Sequence, residues 1–375
     1  MQIILDVTPA VRAGAGMGRY ASELPKALSK LVVHEQLRLF STDLLGRAPA
    51  PPLDRLPRTD YPQADRPWRL AVAWATWTGG AMDSIVGPGD LFHATDQLLP
   101  PLKRMASVFT LHDVAHILSP ATQTTPNRLF STMLLPAFLK RADVVITVSE
   151  STRRSALEYY DLPPEKVRTV LLGVPEGFGR APAEEQARVR ARYALPARYL
   201  LCVSTLEPRK NHALLFRALA ALKDPEIHLV LVGRKGWKWA PIERVLRESG
   251  AASQVHFCEN VEDRDLTAIY SAAEVSLFPS LYEGFGMPPL ESMACGTPVV
   301  CSNTSSMPEV VGDAAILLSP HDDAGWTQAI GTMWADAPRR AELAQRGLAR
   351  AAELSYMATA RTTLALYREI HDRRS

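Results

Sequence analysis

Short apolar runs alternate along this chain with longer stretches in which apolar residues recur every three or four positions. An unbroken apolar run is what a strand buried on both faces requires, and a 3.6-residue period is what a helix covering such a sheet requires. Buried-type strand runs fall at residues 2–7, 90–95, 107–112, 143–149 and 167–172. They resume at 199–205, 228–233, 255–260, 275–278, 298–301 and 315–318. Helical patterning is expected between them, over 19–33, 128–141, 212–222, 261–273, 343–354 and 357–374. Strand–helix alternation predicts an α/β protein with parallel sheets, and the restart at residue 199 predicts two of them. The expected architecture is therefore two doubly wound, Rossmann-like domains facing each other across a cleft. Residues 1–176 form the first and 177–196 an Ala/Glu/Arg-rich linker; 197–356 form the second and 357–375 a terminal helix. Residues 44–69, rich in proline and arginine, carry little periodicity and read as an irregular connection.

Two segments of the first half have a second reading. Trp74 and Trp77 are expected in the core, the alternative being that they face an acceptor lipid. The helix over 128–141, with Leu129, Phe130, Met133, Leu134 and Phe138 among Arg128, Lys140 and Arg141, is expected to be amphipathic and core-facing. The alternative is a basic, aromatic rim on a membrane surface.

Bulk properties narrow the class. A length of 375 residues exceeds what one core usually serves. Hydrophobic content of 47% with 22% charge is globular, and a net charge of +2 gives no case for a nucleic-acid partner. Cys202, Cys258, Cys295 and Cys301 lack metal or disulfide spacing and read as reduced core residues of a cytoplasmic protein. The start, Met-Gln-Ile-Ile-Leu-Asp, reads as a strand without a basic leader, and no apolar run reaches membrane-spanning length.

The densest chemistry lies at 281–296, Leu-Tyr-Glu-Gly-Phe-Gly-Met-Pro-Pro-Leu-Glu-Ser-Met-Ala-Cys-Gly. A strand leads into a turn holding Glu283, Gly284, Phe285, Gly286 and Met287. Pro288 and Pro289 suit first helical positions, Glu291 the first turn, and Gly296 the stop. The helix N-terminus favours a phosphate, and the two carboxylates suit neutral hydroxyls of the same ligand. That pattern fits a nucleotide sugar. Arg209 and Lys210, after the strand over 199–205, offer a planar fork and a point charge for a diphosphate. His112 and Asp113 end the strand over 107–112, where ligands of open α/β sheets bind. The loop Gly14-Ala15-Gly16-Met17-Gly18 is G-x-G-x-G, with Arg19 where a dinucleotide fingerprint needs glycine, so a nicotinamide cofactor is not expected. Its backbone still permits close approach to a phosphate or hydroxyl. Asp263 and Asp265 have the spacing of a metal-binding pair but open a helix. They read as its N-cap and first-turn anion, and no metal is expected.

These motifs together resemble the retaining family-4 glycosyltransferases of GT-B fold. The resemblance rests on Glu283-x7-Glu291 within E-G-F-G-M-P-P-L-E, followed by A-C-G-T-P-V-V. It extends to L-E-P-R-K-N around Arg209, L-H-D-V around His112, G-M-G-R-Y around Gly16, and S-S-M-P-E-V-V-G-D after residue 304. It is dense over 199–356 and patchier before. The chain departs from the family at Ala15, often glycine; at Ser204-Thr205, where many members carry an additional arginine; and at Tyr356, usually tryptophan.

The resemblance implies transfer of a glycosyl group from a nucleoside diphosphate sugar to a glycan or lipid-linked glycan hydroxyl, with retention. It implies Gly16, Met17 and Gly18 on the donor, Glu291 on the ribose, Glu283 on the sugar, and Arg209 and Lys210 on the diphosphate. His112 is implied on the sugar or phosphate, with Asp113 orienting it or an acceptor hydroxyl. The flavour is that of bacterial mannosyl- and rhamnosyl-transferases of surface polysaccharide assembly, so GDP-mannose is the expected donor, ahead of UDP-glucose-type or dTDP-sugars. No cofactor is expected. A peripheral contact with the inner membrane remains open. Other readings are a nucleotide-sugar epimerase, a pyridoxal-phosphate-dependent phosphorylase and a non-catalytic nucleotide-sugar-binding protein.

Overall fold

The computed structural model describes residues 1–12 and 16–374. The chain divides into two compact units. One comprises Met1–His116, Thr125–Gly173 and Tyr356–Ser375, the other Ile117–Thr124 and Val174–Ser355.

In the first unit a parallel sheet is built from β1 (Gln2–Asp6), β2 (Gln36–Thr42), β3 (Arg58–Tyr61), β4 (Leu91–Ala94), β5 (Ala106–Leu111), β6 (Val144–Thr147) and β7 (Val167–Thr169). Their order is β3-β2-β1-β4-β5-β6-β7. β4, β5 and β6 are buried along their whole length, as two-faced burial of apolar runs demands. The connection over 44–69 is not wholly irregular, because β3 (RTDY) lies within it. This strand sits at the sheet edge, half exposed, where no apolar run is needed.

The sheet is covered by α1 (Gly16–Ser29), α2 (Asp65–Thr78), α3 (Thr125–Arg141) and α4 (Glu150–Tyr159), among others. Ser149 caps α4, its hydroxyl accepting from the Thr152 amide at 3.0 Å. Helix α3 is apolar on both faces. Leu134, Leu135, Phe138 and Leu139 are buried, while Leu129 and Met133 are exposed, so it is not the one-faced helix expected. Trp74 and Trp77 of α2 are likewise exposed rather than core, because Trp68, Val72 and Ala73 supply the buried face.

The C-terminal helix, Tyr356–Arg374, belongs to this first unit. Thr359 donates to the Leu171 carbonyl at 2.8 Å, and the Tyr367 hydroxyl pairs with His93 Nδ1 at 2.5 Å.

The second unit holds β8 (Leu200–Val203), β9 (Leu229–Val232), β10 (Val255–Cys258), β11 (Val275–Phe278), β12 (Val299–Ser302) and β13 (Ala315–Leu318). The order β10-β9-β8-β11-β12-β13 is again parallel throughout. Its helices include α5 (Ala183–Arg192), α6 (His212–Leu222), α7 (Asp263–Ser271) and α8 (Met287–Ala294). Trp326, Phe216 and Leu231 are among the fully buried side chains of its core.

The segment 177–196, expected as a linker, lies in this unit and forms α5. Arg188 and Arg192 of α5 donate to the fully buried Asp265 at 2.5 and 2.9 Å, and Tyr193 donates to it at 2.7 Å. Asp265 is thus an anchor between α5 and α7, its carboxyl held below the usual range once those partners outweigh burial. Asp263 is the first residue of α7, and the N-cap position falls to Glu262.

All four cysteines are buried, free thiols, and burial raises the pKa of each. Among the described residues, no helix is long and apolar enough to cross a membrane.

Candidate active site

Strand order explains why residues far apart in sequence meet. From β8 the chain winds outward through β9 and β10, then returns to place β11 on the other side of β8. The two loops leaving the carboxyl ends of β8 and β11 therefore diverge at a topological switch point, where open α/β sheets bind ligands. One loop carries Glu207, Arg209 and Lys210; the other carries Glu283.

Their side chains form a compact ion cluster. Lys210 Nζ donates to Glu283 Oε1 at 2.5 Å, and Arg209 Nη1 to Glu283 Oε2 at 2.8 Å. Arg209 also donates to the Tyr282 carbonyl at 2.8 Å and, through Nη2, to Glu207 Oε1 at 2.8 Å. Burial pushes the Glu283 carboxyl up, but the charges of Lys210 and Arg209 overcome it and hold the pKa at about 2. Glu207, 1% exposed, is raised instead, burial outweighing Arg209 and Lys210. The charge of Lys210 also acts on a buried network nearby. Fully buried His212 pairs through Nε2 with the Ser204 hydroxyl at 2.9 Å, and burial, with Lys210 nearby, lowers its pKa to about 3.

The glycine-bearing turn is fixed from below. The Glu283 amide donates to the Ser305 hydroxyl at 2.9 Å, while the Ser306 hydroxyl donates to the carbonyls of Glu283 and Phe285 at 2.9 and 2.6 Å. Gly286 has φ 108° and caps α8. That backbone angle favours glycine, and a Cβ there would lie 2.9 Å from Met307 Sδ, which would have to shift. Helix α8 begins at Met287, which moves Glu291 from the expected first turn into the second. Of the first three helical residues only Met287 carries an amide hydrogen, since Pro288 and Pro289 lack one. The anion-favouring character of this end therefore rests on the turn amides and the dipole more than on a full set of helix donors. Glu291 is 2% exposed and accepts from the Tyr270 hydroxyl at 3.1 Å. Gly296, with φ 73°, ends the helix as expected. Ser204, Lys210, Ser280, Glu283, Gly286 and Pro289 line a narrow cavity over this arrangement.

The first unit carries the other candidates. His112 follows β5. Its Nε2 donates to the Thr95 carbonyl at 2.8 Å, a carbonyl being able only to accept. Burial lowers its pKa, so the ring is neutral at pH 7 and Nδ1 is an acceptor. Tyr20 packs edge-on against this ring at 5.1 Å, and its hydroxyl bonds the Thr110 hydroxyl at 3.0 Å. Thr95 and Tyr20 hold His112 in place; Asp113 Oδ1 accepts from the Ala115 amide at 3.0 Å, and its charge acts on the His112 ring.

Gly16 and Met17 are exposed at the start of α1, and Gly18 is buried where a Cβ would lie 2.9 Å from the Pro9 carbonyl. Gly14 and Ala15 lie outside the described residues. Of the residues the sequence singles out, the structure brings Arg209, Lys210 and Glu283 together and places His112 in the first unit. Sequence reasoning assigned no role to Glu207 or Tyr20, although both sit inside the motifs that drew attention.

Comparison with known proteins fits this arrangement. The family described as Glycosyltransferase Family 4 matches residues 14–178, and that described as Glycosyl transferases group 1 matches residues 184–350. The O-antigen chain mannosyltransferase B of Escherichia coli is 31% identical over 98% of this chain and 100% of that protein. Among solved structures, a sucrose-phosphate synthase from Thermosynechococcus elongatus superposes with a TM-score of 0.80 at 23% identity, covering 100% of both chains. The Anabaena protein HepE, solved in complex with UDP-glucose, gives 0.73 at 17% identity over 98% of this chain and 100% of its own.

Proposed function

The chain belongs to the family-4, group-1 glycosyltransferases of GT-B fold, and from that premise we propose that it transfers mannose from GDP-mannose to a hydroxyl of a growing, lipid-linked bacterial glycan. The anomeric configuration is retained, no metal takes part, and the enzyme works at the cytoplasmic membrane face. The mannosyl assignment is supported by the full-length relative named for mannosyl transfer to O-antigen.

The observation that carries the donor chemistry is the clustering of Arg209, Lys210 and Glu283 at the β8/β11 switch point. As the glycosidic bond breaks, positive charge builds on the sugar and negative charge on the departing diphosphate. Lys210 and Arg209 receive the diphosphate, with the amide of Met287 and the dipole of α8 behind them. Glu283, kept ionised by those two cations, holds sugar hydroxyls. Glu291 takes the ribose hydroxyls. Neutral His112 accepts a hydrogen bond from a sugar hydroxyl through Nδ1. Gly16, Met17 and Gly18 supply close backbone approach to the donor, and Asp113 serves an acceptor hydroxyl. The acceptor is deprotonated with the help of the leaving phosphate itself.

Release of nucleoside diphosphate from a panel of GDP-, UDP- and dTDP-sugars tests this reading. GDP-mannose is expected to turn over, and Lys210→Ala to lower that turnover by about 10²–10³ without unfolding the chain. Equal turnover in that variant would remove Lys210 from the diphosphate. Turnover of a UDP- or dTDP-sugar in place of GDP-mannose would change the donor.

A further inference from the structure

Four buried polar side chains of the first unit form one continuous path. Tyr367 of the terminal helix pairs with Nδ1 of His93 on β4, and His93 Nε2 pairs with the Thr110 hydroxyl of β5 at 2.6 Å. That hydroxyl pairs in turn with the Tyr20 hydroxyl of α1 at 3.0 Å. None of the four residues is more than 1% exposed. Edge-on ring contacts follow the same route, Tyr367 with His93 at 5.7 Å, His93 with Tyr20 at 6.3 Å, and Tyr20 with His112 at 5.1 Å. Thr110 and His112 are two residues apart on extended chain, so both reach the side where Tyr20 lies. The path ends at His112, which is half-buried.

A buried hydroxyl or imidazole is tolerated only when paired, and apolar residues of similar shape would fill this space without that demand. The pairing also gives the path a direction. Burial, with His112 acting in the same sense, lowers the His93 pKa to about 3, so its ring is neutral, with one donor nitrogen and one acceptor nitrogen. With each inner hydrogen used once, a Tyr367 that donates to Nδ1 means that Nε2 donates to Thr110 and Thr110 to Tyr20. The opposite tautomer reverses every bond. In either case the Tyr20 hydroxyl is set by a group on the terminal helix.

We propose that Tyr367 is a positioning residue for His112, and that through His93, Thr110 and Tyr20 the terminal helix fixes the angle at which that ring meets the donor sugar. The Thr95 carbonyl holds the ring at Nε2, and Tyr20, packed against it with the planes at 83°, blocks rotation about that bond. Asp96 after β4, Asp113 beside the ring and His93 of β4 are the titratable groups that act on it, and burial outweighs the two acids. Without the Tyr367 hydroxyl, His93 Nδ1 is left buried and unpaired, the link through Thr110 to Tyr20 loosens, and water reaches the His112 ring. The inference rests on the proposed contact between His112 and the sugar, but the path itself stands on the geometry of the first unit.

NMR of the full chain with isotope-labelled histidine, the His112 signals identified by their loss in His112→Asn, reads the ring directly. Tyr367→Phe and Thr110→Val should each raise the His112 titration toward its ordinary 6.5 and broaden its ring signals. In donor turnover kcat should fall about tenfold or more, while the donor KM stays within about twofold, because Arg209 and Lys210 of the other unit hold the diphosphate. The acid limb of the kcat/KM profile should rise with the titration. Thr363→Val is the control. Thr363 is fully buried on the same helix but donates only to the Thr359 carbonyl, so its loss should lower melting and leave His112 unmoved. If Tyr367→Phe does not fold, Thr110→Val, which cuts the path at its centre, decides. An unmoved His112 titration in the path variants, or an equal shift in Thr363→Val, would overturn the proposal. A wild type that turns over no nucleotide sugar loses the transferase reading while the titration still tests the path. An active wild type with an unmoved titration in the variants sinks the positioning role alone.

Discussion

Replacing Glu283 by glutamine removes the carboxylate to which Arg209 and Lys210 both donate. All three side chains are nearly enclosed, at 14%, 13% and 12% exposure for Arg209, Lys210 and Glu283. The carboxyl falls from an ordinary 4.5 to about 2, which corresponds to about 3 kcal/mol of stabilisation at neutral pH. Breaking a buried pair from one side costs about 3–5 kcal/mol by mutational precedent. Arg209 keeps Glu207, so the lower end applies. For a unit of this size the melting temperature should drop by roughly 6–12 °C. The folded pKa lies below the unfolded one, so this stabilisation is complete above about pH 4.5 and disappears as pH falls toward about 2. E283Q should lack that part of the acid transition.

Diphosphate binding should move the other way. Glu207, Glu283, Arg209 and Lys210 together are neutral; the variant makes them +1. One charge about 5 Å from a phosphate is worth up to about 3 kcal/mol in a partly buried site, so GDP should bind about tenfold tighter or better after screening. Turnover should still collapse, because an amide cannot replace the carboxylate on the sugar hydroxyls. Scanning fluorimetry and titration calorimetry with GDP read the two effects separately. Unchanged melting together with weaker GDP binding would refute the reasoning.

Other outcomes follow from the same geometry. Lys210→Ala should lower kcat/KM for the donor by about 10²–10³, the effect of losing one preorganised donor, while costing less stability than E283Q because Glu283 keeps Arg209; steady-state kinetics and melting check both. Asp6 is buried and its pKa is raised to about 7, so its contribution to stability is full below about pH 3.8 and lost as pH rises through 7, on the order of 4 kcal/mol. Asp6→Asn keeps an acceptor for the Thr8 amide, so it should melt several degrees higher than wild type at pH 8 and gain nothing near pH 4. Chelation by EDTA should leave donor turnover unchanged; loss of turnover restored by Mg²⁺ or Mn²⁺ would contradict metal-independent chemistry.

Much of the sheet structure was legible because strands such as β5 and β11 are buried on both faces and must be apolar throughout. Edge strand β3 was not, since RTDY carries no apolar run. Arg209, Lys210 and Glu283 stand out by residue type. Their meeting does not, because it depends on β11 returning beside β8, a matter of strand order rather than local pattern. Thr95 holds His112 through a backbone carbonyl, which no side chain announces. Trp74 and Trp77 read as core because apolarity alone cannot say which face of a helix finds a partner. Asp265 read as a first-turn anion, and its distant partners Arg188 and Arg192 became apparent only with the packing of α5 on α7.

The most direct test is NMR observation of the anomeric proton while the enzyme, GDP-mannose and a mannose-terminated glycan acceptor react. The expected result is consumption of GDP-mannose, release of GDP and a new mannoside with the same α configuration as the donor. A β-linked product would contradict retention. An inert GDP-mannose, with a UDP- or dTDP-sugar consumed in its place, would contradict mannosyl transfer itself.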